Sequence, residues 1–193
     1  MNKEIFSTIA IIITFYAFIP YIRSILTNQT RPHVFSWIIW GITTLIVFFA
    51  QLADNAGIGA YPIGISGTIT IAVAILAYLK KADDSIKKID WLFFISALAA
   101  IPIWYLTANP LWAVVILTNV DLIGFAPTLR KAYQYPDQEH PLFYALFFIR
   151  NILVIMALEH YSLTTILFPA VISTACIVLI ITIYVRRRLI YKQ

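Results

Sequence analysis

A chain of 193 residues with 61% hydrophobic and 12% charged side chains holds about half the charge of an average soluble domain, where the share is about 25%. With a mean hydropathy of +0.86, that much apolar surface cannot be hidden in one aqueous core of this size, so a soluble globular fold is excluded and lipid is the implied solvent. The net charge of +5 does not point to nucleic acid, because the Lys and Arg stand in short blocks between apolar runs, as membrane topology requires.

A bilayer core of about 30 Å needs about 20 apolar residues at 1.5 Å each. The first run, Ile5–Leu26, is long enough to span and lacks a small-residue cleavage site, so it reads as a retained helix rather than a signal peptide. Further spans are expected at Val34–Ala53, Ile58–Leu79, Trp91–Leu106, Leu111–Leu129, Leu142–Leu158 and Ser162–Val185. Turn chemistry separates them at Asn28 to Pro32, Asp54 to Gly57 and Asn109-Pro110. The expectation is an all-α polytopic membrane protein of seven transmembrane helices. The loop from Lys80 to Asp90 mixes Lys and Asp and reads as a solvated connection. The lone cysteine, Cys176, lies in an apolar run, where it reads as a small packing residue.

Apart from Lys3 and Arg150, every Lys and Arg falls in an odd-numbered connection, in the last turn of the span that leads into one (Arg23), or in the C-terminal tail. The positive-inside rule then places the N-terminus outside and the C-terminus in the cytoplasm; in a bacterium the membrane would be the inner one.

An offset of 107 residues superimposes Pro20 on Pro127, Arg23 on Arg130, His33 on His140, Pro62 on Pro169, and Ser66 on Ser173. The same offset lays Lys80-Lys81 on Arg187-Arg188 without a gap. Shared hydrophobicity alone does not produce matches of rare polar and proline residues. The chain therefore divides into three parts. Residues 1–81 form a first three-helix repeat (spans 5–26, 34–53, 58–79). Residues 82–110 supply a cytoplasmic loop and a linker helix (span 91–106). Residues 111–193 form a second three-helix repeat (spans 111–129, 142–158, 162–185) with a basic cytoplasmic tail. Two parallel three-helix bundles joined by one extra span imply a pseudo-twofold axis along the membrane normal.

This 3+1+3 pattern resembles the SWEET and PQ-loop superfamily of small-solute carriers, which includes a non-transporting KDEL-receptor branch. Pro20 and Pro127 stand where that superfamily carries Pro-Gln, although here Tyr21 and Thr128 follow them. The resemblance implies that these prolines act as hinges for closing the cytoplasmic side. A proline in a spanning helix removes one backbone hydrogen bond and permits a kink, and a static bend for packing is the alternative.

His33, Trp37, Trp40, Thr44, Val47 and Gln51 share one face of the second span at helical spacing. The equivalent stripe in the second repeat is His140, Tyr144, Phe147, Asn151, Val154 and Leu158. Polar groups are costly in hydrocarbon, so this stripe is expected to face the bundle axis, with Trp37, Trp40, Thr44 and Tyr144 lining a cavity. Trp91 and Trp112 begin their spans and read as interfacial anchors. His33 and His140, beside Pro32 and Pro141, could act as a gate or serve as interfacial caps.

Asp121 and Arg150 carry the sharpest signal, because each stands near mid-depth of its span and neither charge tolerates lipid. They are expected to pair or to face one polar cavity, with Arg150 holding an anionic group, Asp121 titrating, and Asn119 and Asn151 completing the pocket. A fixed structural ion pair is the alternative. No zinc-site spacing, phosphate loop or catalytic grouping occurs, so neither cofactor nor metal nor enzymatic activity is expected. The expected function is a membrane transporter that moves a small polar solute by alternating access, with proton coupling or homo-oligomerisation left open. A ligand-binding membrane receptor on the same fold is the alternative.

Overall fold

The computed structural model describes residues 2–28, 34–80, 88–125, 129, 132–134, 136–138 and 141–190, and the protein is all-helical. In chain order the elements are α1 (Lys3–Leu26), α2 (Val34–Ala53), a 3-10 turn (Gly57–Ala60) running into α3 (Tyr61–Leu79), α4 (Lys88–Thr107), α5 (Pro110–Gly124), a second 3-10 turn (Pro136–Gln138), α6 (Pro141–Ala157) and α7 (Leu163–Ile190). Four segments, α1, α2, Gly57–Leu79 and α7, are long and apolar enough to cross a membrane. Phe94–Thr107, α5 and α6 are shorter apolar helices.

The helices turn their small and polar side chains inward together with an apolar core, and cover the outside with large apolar ones. On α1 the buried stripe is Ser7, Ala10, Thr14 and Ala17, at helical spacing, while Ile5, Ile9, Ile12, Phe15 and Ile19 are exposed. α7 repeats the arrangement, burying Thr165, Ser173 and Cys176 and exposing Ile177, Ile181 and Val185. Water would penalise such a surface and hydrocarbon does not. The protein is built to be embedded in a membrane.

Packing follows a definite order. α3 touches both α1 and α2, and α7 touches both α5 and α6. Across these groups α1 packs on α6 and α2 packs on α5, while α4 lies against α5 and α2. The central core of Val47, Ala50, Ile63, Val114, Leu117, Val154 and Leu179 fills the space between them.

Turn chemistry sets the helix ends. Asn28, Asn55 and Gly57 all have positive φ, at 58°, 59° and 61°, a conformation that Gly and Asn adopt most readily. The Asn109 side chain accepts from the Leu111 amide at 3.0 Å and caps α5, with Pro110 in its first turn.

The fifth span was expected to run to Leu129; the described helix α5 covers Pro110–Gly124, and Leu129, whose amide donates to the Phe125 carbonyl at 2.9 Å, is again helical. α1 passes Pro20 and continues to Leu26. Arg186, Arg187 and Arg188, expected in a tail, belong to the last turns of α7. Pro127, His33 and His140 lie outside the described residues.

Candidate functional site

A cavity of about 900 Å³ lies among α1, α2, α3, α5, α6 and α7. Its deep wall is Asp121, Arg150, Thr44, Ser66 and Phe168, and it runs past Trp37, Trp40, Phe147 and Tyr144 to Ser24, Phe125 and Leu142. It therefore extends from the middle of the bundle to the end where α1 and α5 finish and α2 and α6 begin.

Of the residues expected to form the site, Asp121, Arg150, Trp37, Trp40, Thr44, Tyr144 and Pro20 all line this cavity. Asp121 and Arg150 face one cavity, as expected, but they make no ion pair. Asp121 is 7% exposed and its Oδ1 accepts from the Thr43 hydroxyl on α2 at 2.9 Å. The same hydroxyl is 3.0 Å from the Trp40 carbonyl oxygen. A single hydroxyl proton cannot serve both acceptors fully. With Asp121 ionised, Thr43 donates to it; with Asp121 protonated, the carboxyl donates to Thr43 and Thr43 donates to Trp40. The contact accommodates either state.

Arg150 is 2% exposed. One terminal nitrogen donates to Asn151 Oδ1 at 3.0 Å and the other to the Pro62 carbonyl at 3.0 Å. Its Nε is enclosed without a partner. The guanidinium carbon lies 5.5 Å from the centre of the Phe147 ring, within cation–π range. Asn151 is fully buried and bonds the Phe147 carbonyl at 2.9 Å, so it positions Arg150 rather than lining the cavity.

Asn119 is a correction. It is exposed and bonds back to the Val115 carbonyl at 2.8 Å, away from the cavity. Two residues along a helix turn through about 200°, so Asn119 and Asp121 cannot share a face. Cys176, read as a packing residue, is buried but shares the cavity wall.

Several wall residues were missed. Tyr21 stacks on Trp37 with ring centres 4.9 Å apart and planes at 26°. Phe18 meets Trp37 and Phe147 edge to face, at 6.4 and 5.8 Å. Gly124 lets the Trp40 indole come close, since a Cβ there would lie 3.0 Å from Nε1. The first-span spacing Ala17, Tyr21, Ser24 could have pointed to this wall.

The other end of the bundle is latched. Ser162 donates to the Asp54 carboxylate, and His160 Nδ1 lies 3.0 Å from the Asp54 carbonyl oxygen. The Glu159 amide donates to the Ala56 carbonyl at 3.0 Å, and the Ile58 amide donates to the Glu159 carboxylate at 3.3 Å. Gly59 packs so tightly on the Leu158 backbone that a Cβ would lie 2.7 Å from its nitrogen. Deeper in, fully buried Gln51 donates to the Thr165 carbonyl at 2.8 Å. Ala56, Ala60 and Leu158 fill the space between the loops. Sequence pattern alone did not mark this cluster, because its polar members read as ordinary loop residues.

Among the described residues, no three His, Cys, Asp or Glu side chains converge to hold a metal. No protein-family model, curated protein or solved structure matches the chain.

Proposed function

We propose that this protein is a carrier for a small polar solute that works by alternating access, with its site between two three-helix repeats. The observation that carries this reading is the contrast between the two ends of one cavity. A charged, aromatic-lined chamber reaches from mid-bundle toward one end, and a hydrogen-bonded latch closes the other. A site near the middle with one end shut is what one state of an alternating-access cycle requires.

Three features support the repeat and the seven-span layout. Both halves pack in the same order, third helix between first and second, counting α5, α6 and α7 as the second set. The cross-contacts α1–α6 and α2–α5 exchange under the 107-residue offset. The positions of the Asp121–Thr43 bond map by the same offset onto Thr14 and Arg150, which stand on α1 and α6, and these two helices also pack together. With the four long helices and the three shorter apolar ones counted as spans, the N-terminus is external and the C-terminus cytoplasmic. These features agree with the resemblance to the SWEET and PQ-loop superfamily.

The test is uptake into sealed proteoliposomes loaded with a mixture of small metabolites and read by mass spectrometry as exchange against an external mixture. A carrier equilibrates at least one solute class, and Arg150→Gln abolishes that exchange. Ligand binding without exchange of any solute would favour a receptor instead.

A further inference from the structure

We infer that the ligand of this site is a small carboxylate with a flat ring body, its carboxylate held by Arg150 and its binding tied to a proton on Asp121. This rests on the carrier reading only for the step of transport; the binding chemistry stands on the cavity itself.

Arg150 is a buried cation without a counter-anion. The guanidinium has five N–H donors, and those with partners go to neutral acceptors, the Asn151 amide oxygen and the Pro62 carbonyl. Among the described residues the ion pairs are His160–Asp54 and Arg187–Asp137, and neither involves Arg150. Its Nε is enclosed without any acceptor. A buried charge left uncompensated is costly, and an anion entering the cavity would relieve that cost. The planar fork matches a carboxylate in a bidentate pair.

The body of the ligand follows from the wall. Tyr21 stacks on Trp37, Phe143 and Phe147 lie with ring centres 4.7 Å apart, and all four line the cavity. Phe18 bridges them. Phe147 also sits beside the Arg150 guanidinium. Aromatic faces on a cavity wall beside a cation suit a flat ring whose carboxylate points inward.

Asp121 sets the proton requirement. It lines the same cavity, so an ionised Asp121 would repel the incoming carboxylate, and a protonated one would not. Its Thr43 contact serves both states. The other titratable groups on the cavity wall are Tyr16 and Tyr21 on α1, Tyr144 and Arg150 on α6, and Cys176 on α7. On α4, which packs on α5, Lys88 and Tyr105 stand at the helix ends and are exposed. Binding of the anion therefore draws a proton onto Asp121, and by reciprocity the proton strengthens anion binding.

The test is calorimetry on the full chain in nanodiscs, with empty nanodiscs as blank, using 2-naphthoate, 2-naphthamide and 2-naphthylmethylammonium. Wild type is expected to bind the carboxylate at least about tenfold more tightly than the other two. Arg150→Gln should lose that preference; if it does not fold, Arg150→Lys should weaken it, since Lys keeps the charge and loses the fork. Titration in two buffers of different ionisation enthalpy should show uptake of about one proton in wild type and none in Asp121→Asn. Equal binding of the three probes, no binding of the carboxylate, or a preference unchanged in the Arg150 variants overturns the assignment. Carboxylate binding without proton uptake overturns the role of Asp121. Either failure leaves solute exchange in proteoliposomes to decide the carrier reading, which fails independently if nothing is exchanged.

Discussion

Thr43 on α2 donates its hydroxyl to Asp121 on α5, and this bond, not an ion pair with Arg150, is what holds the buried carboxylate. Arg150 is supported separately by Asn151 and the Pro62 carbonyl. The two charges thus share a cavity while each keeps its own neutral scaffold. Such an arrangement leaves both available to a ligand, whereas a closed ion pair would satisfy each with the other.

Thr43→Val removes that donor and should destabilise the protein by about 1–3 kcal/mol, since a buried acceptor loses its partner. In double-mutant cycles, the coupling of Thr43 with Asp121 should exceed that of Asp121 with Arg150. Reversible unfolding in mixed micelles measures both. The reverse order would mean that the two charges depend on each other directly.

The aromatic wall predicts a different phenotype. Trp37→Leu removes the stacking partner of Tyr21 and should lower ligand affinity by about 1–3 kcal/mol, the order expected for loss of a ring contact and its buried area. Stability should change less than affinity, because Trp37 is only partly buried. Calorimetry beside a melting curve separates the two effects.

The latch gives a stability prediction. Gly57→Ala places a Cβ against the Glu159 carboxylate at a position with φ of 61°. It should cost about 1–3 kcal/mol from backbone strain and collision together. Unfolding of the variant beside wild type checks this. An Ala tolerated without cost would mean that the contact between residues 54–60 and 158–162 is loose.

Topology is checked by reporter fusions. A reporter after Gln193 should be cytoplasmic and one at Asn55 external, which follows from the bias of Lys and Arg. A cytoplasmic signal at Asn55 would overturn both the span count and the repeat.

Much of the architecture was legible because the bilayer imposes a simple ruler on apolar runs. Helical spacing brought Trp37, Trp40 and Thr44 to one face, and all three line the cavity. The cost of charge in hydrocarbon singled out Asp121 and Arg150. What the chain order could not supply was pairing across helices. Asp121 was matched to the nearest opposite charge, but α5 packs on α2, so Thr43 is the group within reach. Asn119 was included by proximity in sequence, though two residues along a helix point to opposite sides. The latch was missed for the same reason: Asp54 and Ser162 are far apart in the chain, and only packing brings them together.

The central claim is that one site is reached from both faces of the membrane, and a single cysteine tests it without knowledge of the substrate. Thr44 lies on the deep wall, so Thr44→Cys in a Cys176→Ser background reports access when a membrane-impermeant maleimide is applied from each face in turn. The account predicts modification from both faces. Labelling from the side of the latch should be several-fold faster when Asp54→Asn and Ser162→Ala weaken it, a shift that about 1 kcal/mol would produce. Modification from one face only, unchanged by weakening the latch, would contradict alternating access.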